Sequence, residues 1–393
     1  MRYGRMLESP FTFYRASAVV MASDLSTTPV SGITVQASGD AHLSNFGGFA
    51  TPERTLVFDL NDFDETLPGP WEWDIKRLAA SVVLAGRENG FRTADCAVAA
   101  RAAVRSYRER MTEFAAMGHL AVWYTRTAAD EVAADLPKAA RKRWERAVLK
   151  AKSRDHVQSL ERMTTLDNGN LRITDDPPLI VHGSDEVVGD HLPAFTKTYR
   201  ASLRDDVSAL LQRYTFVDFA QKVVGVGSVG TRCYVVLMRG NDNHDPLFLQ
   251  IKEASASVLE PYLGKSRYRN HGQRVVRGQH ATQAASDIFL GWGRVQGVDY
   301  YVRQLRDMKG SADLASQAPD QMALYAELCG HVLARAHART GDAAMISGYM
   351  GDGDAFDTAI VGFATAYADQ AERDHAALVA SVKSGKVAAE TGR

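Results

Sequence analysis

The chain has little cysteine: Cys96, Cys233 and Cys329 are the whole complement, far apart and without a CxxC pair. That spacing excludes a disulfide framework and a cysteine zinc site, and it fits a reducing compartment. Long apolar runs are missing as well. The longest near the N-terminus, Ala18 to Ala22, is far too short for a signal-peptide core or a membrane span. An excess of one charge is also lacking, because 46 basic side chains face 47 acidic ones, for a formal net charge of −1. A near-neutral chain argues against a nucleic-acid binder held by phosphate neutralisation. No internal repeat or low-complexity stretch interrupts the 393 residues, which suffice for two lobes around a cleft. These absences predict a cytoplasmic protein with neither nucleic acid nor membrane as a partner.

What is present begins with two polar segments. Gly39-Asp40-Ala41-His42-Leu43-Ser44-Asn45-Phe46-Gly47 sets an Asp and an Asn five positions apart, with a His between them. Phe58-Asp59-Leu60-Asn61-Asp62-Phe63-Asp64-Glu65 then gathers carboxylates at the end of an apolar run. Acid and amide oxygens are hard ligands that suit Mg²⁺, which favours one or two carboxylates together with substrate phosphates. An Asp five residues before an Asn is also the spacing of the kinase catalytic loop, where the Asp orients a hydroxyl and the Asn binds metal. Ile33 to Ala37 reads as a strand leading into the Gly39 turn, and Ala16 to Leu25 before it as a helix with Ser17 as its cap. Asn45 to Ala50 and Thr55 to Leu60 read as a hairpin, which puts the acids at a strand end. Leu67-Pro68-Gly69-Pro70 is a break, after which Trp71-Glu72-Trp73-Asp74 opens a helix with Ile75, Leu78, Ala79, Val82 and Val83 on one side. Asp74, near the helix start, suits the dipole and is placed to hydrogen-bond back to the Gly39 turn.

From Thr93 to about Lys222 the chain reads as mostly helical, with Ala-rich periodic segments at 94–114 and 129–153. The basic run Lys138, Arg141, Lys142, Arg143, Arg146, Lys150 and Lys152 reads as a solvated helix face. At Phe216 the character changes. Val223-Val224-Gly225-Val226-Gly227-Ser228-Val229-Gly230 is a GxGxxG loop. A dinucleotide fingerprint must open a helix after its third glycine. Here Cys233 to Met238 is β-branched and aromatic, hence a strand, and after a turn Leu247 to Lys252 is another, ending in Lys. Strand, Gly loop, strand, turn and Lys-bearing strand is the phosphate-covering hairpin of a kinase-type small lobe. Gly225, Gly227, Ser228, Gly230 and Lys252 are thereby nucleotide-binding candidates. Glycines let the backbone close over phosphates, and the Lys supplies a point charge. A helix over about Gly272 to Phe289 follows, with no Glu to pair with the Lys as kinases require; Glu253 and Glu260 lie too close to it. Val298 to Leu305 is a strand of the kind that enters an interlobe hinge, which adds Gln304 to the nucleotide candidates, and Leu324 to Ala338 is a helix.

The order of these parts is unusual. In a kinase the Gly loop and Lys precede the catalytic loop and the metal Asp; here they follow. Joining the C-terminal part back to the N-terminal part restores the usual sequence. The expected fold is therefore α+β, two-lobed, protein-kinase-like and circularly permuted. Residues 1–215 would carry the catalytic and metal loops and a helical large lobe, 216–305 a strand-rich nucleotide lobe, and 306–393 the helical completion of the large lobe.

Arg2-Tyr3-Gly4-Arg5-Met6, Ser9-Pro10-Phe11-Thr12-Phe13-Tyr14-Arg15, Gly39-Asp40-Ala41-His42, Asn61-Asp62-Phe63-Asp64-Glu65 and Glu72-Trp73-Asp74-Ile75-Lys76-Arg77-Leu78-Ala79 resemble the bacterial domain-of-unknown-function family 2252. So do Gly272-Gln273-Arg274-Val275-Val276, Arg303-Gln304-Leu305-Arg306-Asp307-Met308-Lys309-Gly310 and Tyr367-Ala368-Asp369-Gln370. This resemblance supplies no activity, and it implies that an N-terminal extension precedes the first residue. Ala16 stands where that family leads one to expect Gly. A looser similarity is to aminoglycoside and choline phosphotransferases, whose signature resembles H-G-D-x-H-x-x-N. Asp40, His42 and Asn45 fit it, Ser38 replaces its leading His, and Asp74-Ile75-Lys76-Arg77-Leu78-Ala79 stands for its final element.

Together these readings lead to the expectation of an ATP- and Mg²⁺-dependent phosphotransferase acting on a hydroxyl of a small-molecule or protein acceptor. Asp40 would accept the hydroxyl proton with His42 beside it, and Asn45 with Asp62, or alternatively Asp59, would hold the metal. Three alternatives remain open: a nucleotide-binding pseudokinase that regulates a partner, an AMP-transferring enzyme on the same fold, and a metal-dependent hydrolase using Asp40, His42 and Asp62.

Overall fold

The computed structural model describes residues 2–153, 160, 163–167, 170–182, 186–223, 230–305 and 308–390. In chain order, helix α1 spans Pro10–Ala16, strand β1 Thr34–Ala37, β2 Phe46–Ala50, β3 Leu56–Leu60 and β4 Leu67–Pro70. Helices α2 (Trp71–Glu88) and α3 (Thr93–Ala115) follow, then short strands β5 (Thr164–Asp167), β6 (Asn170–Ile173) and β7 (Ile180–Val181). Helix α4 (Glu186–Arg200) leads to β8 (Thr215–Lys222), β9 (Cys233–Arg239) and β10 (Pro246–Ala254). Helix α5 (His271–Thr282), strands β11 (Gly291–Val295) and β12 (Val298–Gln304), and helices α6 (Pro319–Ala338) and α7 (Ala355–Lys383) complete the fold.

Helix α2 is buried on nearly every side: Ile75, Leu78, Ala79, Ala80 and Val82 pack in the core, and the charged Glu72, Asp74 and Arg77 of its first turns are buried as well. It packs against α3, α6 and α7 in one continuous core, and its buried charges need partners there. Small residues let α3 and α6 come close: a Cβ on Gly330 would lie 2.0 Å from the Ala103 carbonyl oxygen, so only glycine fits there.

The sheet half is a six-stranded antiparallel layer in the order β11-β12-β10-β9-β8-β7. Its period of two sorts the side chains. Leu249, Ile251, Tyr300 and Val302 pack against Phe195 and Tyr199 of α4. On the opposite face, Gln250 stands across from Arg303 and Lys252 across from Tyr301. Two hairpin-like pairs, β1 with β4 and β2 with β3, join the halves and carry both polar segments at their ends.

Several expectations change in detail. The helix expected over Ala16 to Leu25 is found at Ala18–Leu25 with Ser17 at its N-cap position, but the Ser17 hydroxyl donates to the Tyr14 carbonyl and makes no capping bond. The stretch read as mostly helical up to Lys222 contains β5, β6, β7 and β8, whose Thr and Ile residues pair across short ladders. Helix α5 stops at Thr282 rather than Phe289, because Gln283 turns extended. Helix α6 begins at Pro319, ahead of Leu324, since a proline is well suited to a first helical turn. The basic run is a solvated face as expected: Lys138, Arg141, Lys142, Arg143, Arg146, Lys150 and Lys152 are exposed on one helix. Among the described residues, no helix is long and apolar enough to cross a membrane.

Candidate functional site

The helical side of the site is set from beneath by Asp74 on the first turn of α2. Its buried carboxylate accepts from the Ser38 amide at 2.6 Å and the Gly39 amide at 3.0 Å. His337 of α6 places Nε2 3.2 Å from the same carboxylate and Nδ1 2.8 Å from the Tyr107 hydroxyl of α3. Three helices thereby fix one turn. Gly39 is required there twice over: its φ is +78°, and a Cβ would lie 2.5 Å from the Glu65 carbonyl oxygen. That close approach presses the turn against the acid segment. The Asn45 side-chain amide donates to the Asp40 carbonyl at 2.7 Å, and the Asn61 amide donates to the Asn45 carbonyl at 2.9 Å.

Asp40 itself accepts from Arg77 Nε at 2.5 Å. Arg77 is 3% exposed, donates to the Tyr14 carbonyl at 3.0 Å and lies over the Tyr14 ring at 4.4 Å, so α1 holds it in place. Burial pushes the Asp40 carboxyl up and Arg77 pulls it down; with the Asp62 charge also nearby, the balance is about 7. His42 is buried with Nε2 3.7 Å from the Asp40 carboxylate. Burial, reinforced by Arg77, holds its imidazole well below the usual range, so it is neutral.

The sheet side centres on Lys252 of β10, which is 3% exposed. Its ammonium is paired with the Asp64 carboxylate and lies 4.0 Å from that of Asp62. Burial alone would discharge it, but the Asp62 and Asp64 carboxylates raise its pKa well above the usual value. Desolvation of Asp62 is likewise outweighed by the Lys252 and Arg303 cations, which hold its carboxyl below the ordinary range. The acid segment is tied to the sheet half along its length. Gln283 Nε2 donates to the Leu60 carbonyl at 2.5 Å, Arg303 to that of Asn61 at 3.2 Å, and the Ser257 hydroxyl to that of Glu65 at 2.7 Å. Arg274 of α5, 2% exposed, donates to the carbonyls of Asp64 at 2.7 Å, Thr66 at 2.8 Å and Ser255 at 2.8 Å.

Of the residues singled out in the sequence, Asp40, His42, Asn45, Asp62 and Lys252 converge here. Asp59 faces the other way. Its carboxylate, 1% exposed, is paired with the fully buried Arg335 of α6 at 2.5 Å and accepts from the Ala284 amide at 3.1 Å. Gly225, Gly227 and Ser228 lie outside the described residues. Gly230 is an exposed turn residue with φ +97° just before β9. The Gln304 backbone amide, at the end of β12, donates to the Asp287 carboxylate. Among the described residues no three His, Cys, Asp or Glu side chains form a metal-holding group. The partly exposed carboxylate of Asp62 and the side-chain oxygen of Asn45 are hard donors of the kind Mg²⁺ takes, one or two from the protein with phosphate and water completing its shell.

Sequence reading missed Arg77, Asp64, Arg274, Arg335 and His337. Asp64 and Arg77 lay within the segments already quoted, yet nothing in spacing alone says which acid meets which cation across the fold. Arg335 and His337 are interior polar side chains on a helix with an otherwise apolar face, a signal of buried pairing that was there to be read.

The fold and site define a mixed α+β protein in which the acid segment and the Lys-bearing strand β10 meet in a cluster of paired charges. The chain belongs to the family described as "Uncharacterized protein conserved in bacteria (DUF2252)", whose model matches residues 1–381. No curated protein and no solved structure matches it.

Proposed function

We propose that this chain is an ATP- and Mg²⁺-dependent phosphotransferase acting on a hydroxyl, on a circularly permuted kinase-like scaffold. One observation carries the reading: Lys252 on the third strand after α4 lies 4.0 Å from Asp62, whose segment is hydrogen-bonded to the Asp40–Asn45 loop. Those are the three parts a phosphoryl-transfer site needs, a phosphate cation, a metal carboxylate and a hydroxyl-orienting Asp, drawn from segments far apart in the chain. The antiparallel run β8, β9, β10, then α5, β11 and β12, supports the small-lobe assignment, since strand, loop, strand, turn and Lys-bearing strand is the phosphate-covering unit.

In this reading Asp40 takes the proton of the acceptor hydroxyl as its oxygen bonds to the γ-phosphorus and the bond to the ADP oxygen breaks. A carboxyl poised near 7 is suited to that exchange. Lys252 binds phosphate oxygen, and Mg²⁺ held by Asp62 and Asn45 would neutralise phosphate charge. Asp59, spent on Arg335, is assigned to the core and not to the metal. The acceptor is a small molecule or a protein.

The test is product analysis with γ- and α-labelled ATP, Mg²⁺ and a panel of hydroxyl acceptors. Transfer of the γ label is the expected result. Transfer of the α label would replace the reading with AMP transfer, and nucleotide binding without either would make the chain a regulatory module.

A further inference from the structure

Helix α5 carries no Glu, and Glu260 of the short helix Glu260–Leu263 before it lies 3.9 Å from His271, so the ordinary partner of a nucleotide-binding Lys is absent from α5. Its place is taken from the other side. Lys252 Nζ is paired with Asp64, two residues beyond the metal candidate Asp62. What α5 contributes instead is a cation. Arg274 is aimed at main chain, gripping the carbonyl of Asp64 itself together with those of Thr66 and Ser255. Glu65 completes the tie, its carboxylate accepting from the Val258 amide at 2.7 Å.

We propose that Asp64 is the positioning residue for Lys252, and that Arg274 is the clamp that presents Asp64 to it. The inference rests on the phosphotransferase reading of this site. An ammonium has three donors. One is occupied by Asp64, which stops the flexible side chain from swinging and leaves the other two for phosphate oxygens. Arg274 suits its role because a planar guanidinium reaches several acceptors in fixed directions, whereas a Lys at that position reaches them one at a time. In this chain helix α5 therefore governs the Lys indirectly, through the backbone of the acid segment, so that α5, the acid segment and β10 move as one body.

The rival role for Asp64 is a second metal ligand, and the sign of one measurement separates the two. Calorimetric titration of the full chain with ATP, in EDTA and then in Mg²⁺, is done for wild type, Asp64→Asn, Lys252→Met and the double variant. If Asp64 positions Lys252, Asp64→Asn weakens metal-free ATP binding by about tenfold, the worth of one charged hydrogen bond. The double variant then binds no more weakly than Lys252→Met, because the effect runs through the Lys. Arg274→Lys, which keeps the charge and loses the three-way grip, weakens metal-free ATP in the same direction. Should Asp64→Asn leave metal-free ATP unchanged or tighter and lower only the Mg²⁺-dependent affinity, Asp64 is a metal ligand and the proposal is overturned. Additive losses in the double variant overturn it as well. A wild-type chain that binds no ATP in either buffer overturns the phosphotransferase reading, and this inference with it. Asp64 is 31% exposed, so its Asn variant is not a core substitution, and thermal unfolding of each variant checks that it folds.

Discussion

Two groups of acids in this molecule lie a few residues apart and have opposite fates. Asp59 and Asp74 lie beneath the cleft, 1% exposed each, and spend their charge on the protein itself: Asp59 on Arg335, Asp74 on two backbone amides and His337. Asp40, Asp62 and Asp64 line the cleft, 20%, 39% and 31% exposed, and keep a face toward solvent while paired with Arg77 and Lys252. In the proposed reading the contrast separates a carboxylate used for structure from one held ready for a ligand. A buried pair loses several kcal/mol when one partner is removed, because the other charge is stranded. In the second group only the carboxylate reaches water, while Arg77 and Lys252 are 3% exposed each, so screening acts on one partner of the pair.

Substitutions can break or sharpen that division. The largest expected effect is on the cleft side. Asp40→Asn should lower phosphoryl transfer by roughly a hundredfold or more, the usual loss with a general base, while Mg-ATP affinity stays near wild type. Next comes the floor. Asp59→Asn strands Arg335 and should destabilise the fold by about 3–5 kcal/mol in denaturant titrations, with no selective effect on nucleotide. Asp62→Asn should do the reverse, weakening Mg-ATP binding and activity together while costing about 1 kcal/mol or less of stability. If Asp59→Asn were the variant that lost Mg-ATP at full stability, the two acids would have to exchange roles.

The smallest effect is in pH dependence. The Asp40 carboxyl is raised to about 7, and the base form is the active one, so turnover should climb as pH passes 7. Stability runs the other way. Between the ordinary carboxyl range and about 7, folded Asp40 holds a proton that the unfolded chain has released, so this group's contribution falls as pH rises. Arg77 and the partial exposure of Asp40 keep that slope shallow. Asp40→Asn should flatten both profiles, which pH-rate and pH-stability curves would check.

How much of this was legible in the sequence follows the same division. The turn at Gly39, the hairpin into the acids, the helix opened by Trp71 and the Lys-bearing strand are local patterns of period and punctuation, and they could be read. The link from Asp74 back to the Gly39 turn was readable too, since a carboxylate at a helix start seeks amide donors. The choice between Asp59 and Asp62 was not, because both follow apolar residues at plausible spacing and only α6, far along the chain, supplies the cation that claims one of them. The partner of Lys252 was sought on the wrong element for a similar reason: strand and helix order predict neighbours, whereas ion pairing depends on which side chains a cleft happens to face. The strands β5, β6 and β7 were missed because each is only two to four residues long, too short for alternation to register.

The central claim is that Lys252 and Asp62 make a nucleotide-phosphate site, and Mg-ATP binding tests it most directly. Thermal unfolding of wild type and Lys252→Ala would be followed with rising Mg-ATP. A ligand held by the folded state alone stabilises it by about 2.7 kcal/mol at a hundredfold excess over its dissociation constant. The account predicts a saturable upward shift in wild type that is blunted in Lys252→Ala. No shift at millimolar Mg-ATP, or the same shift in both proteins, would contradict it.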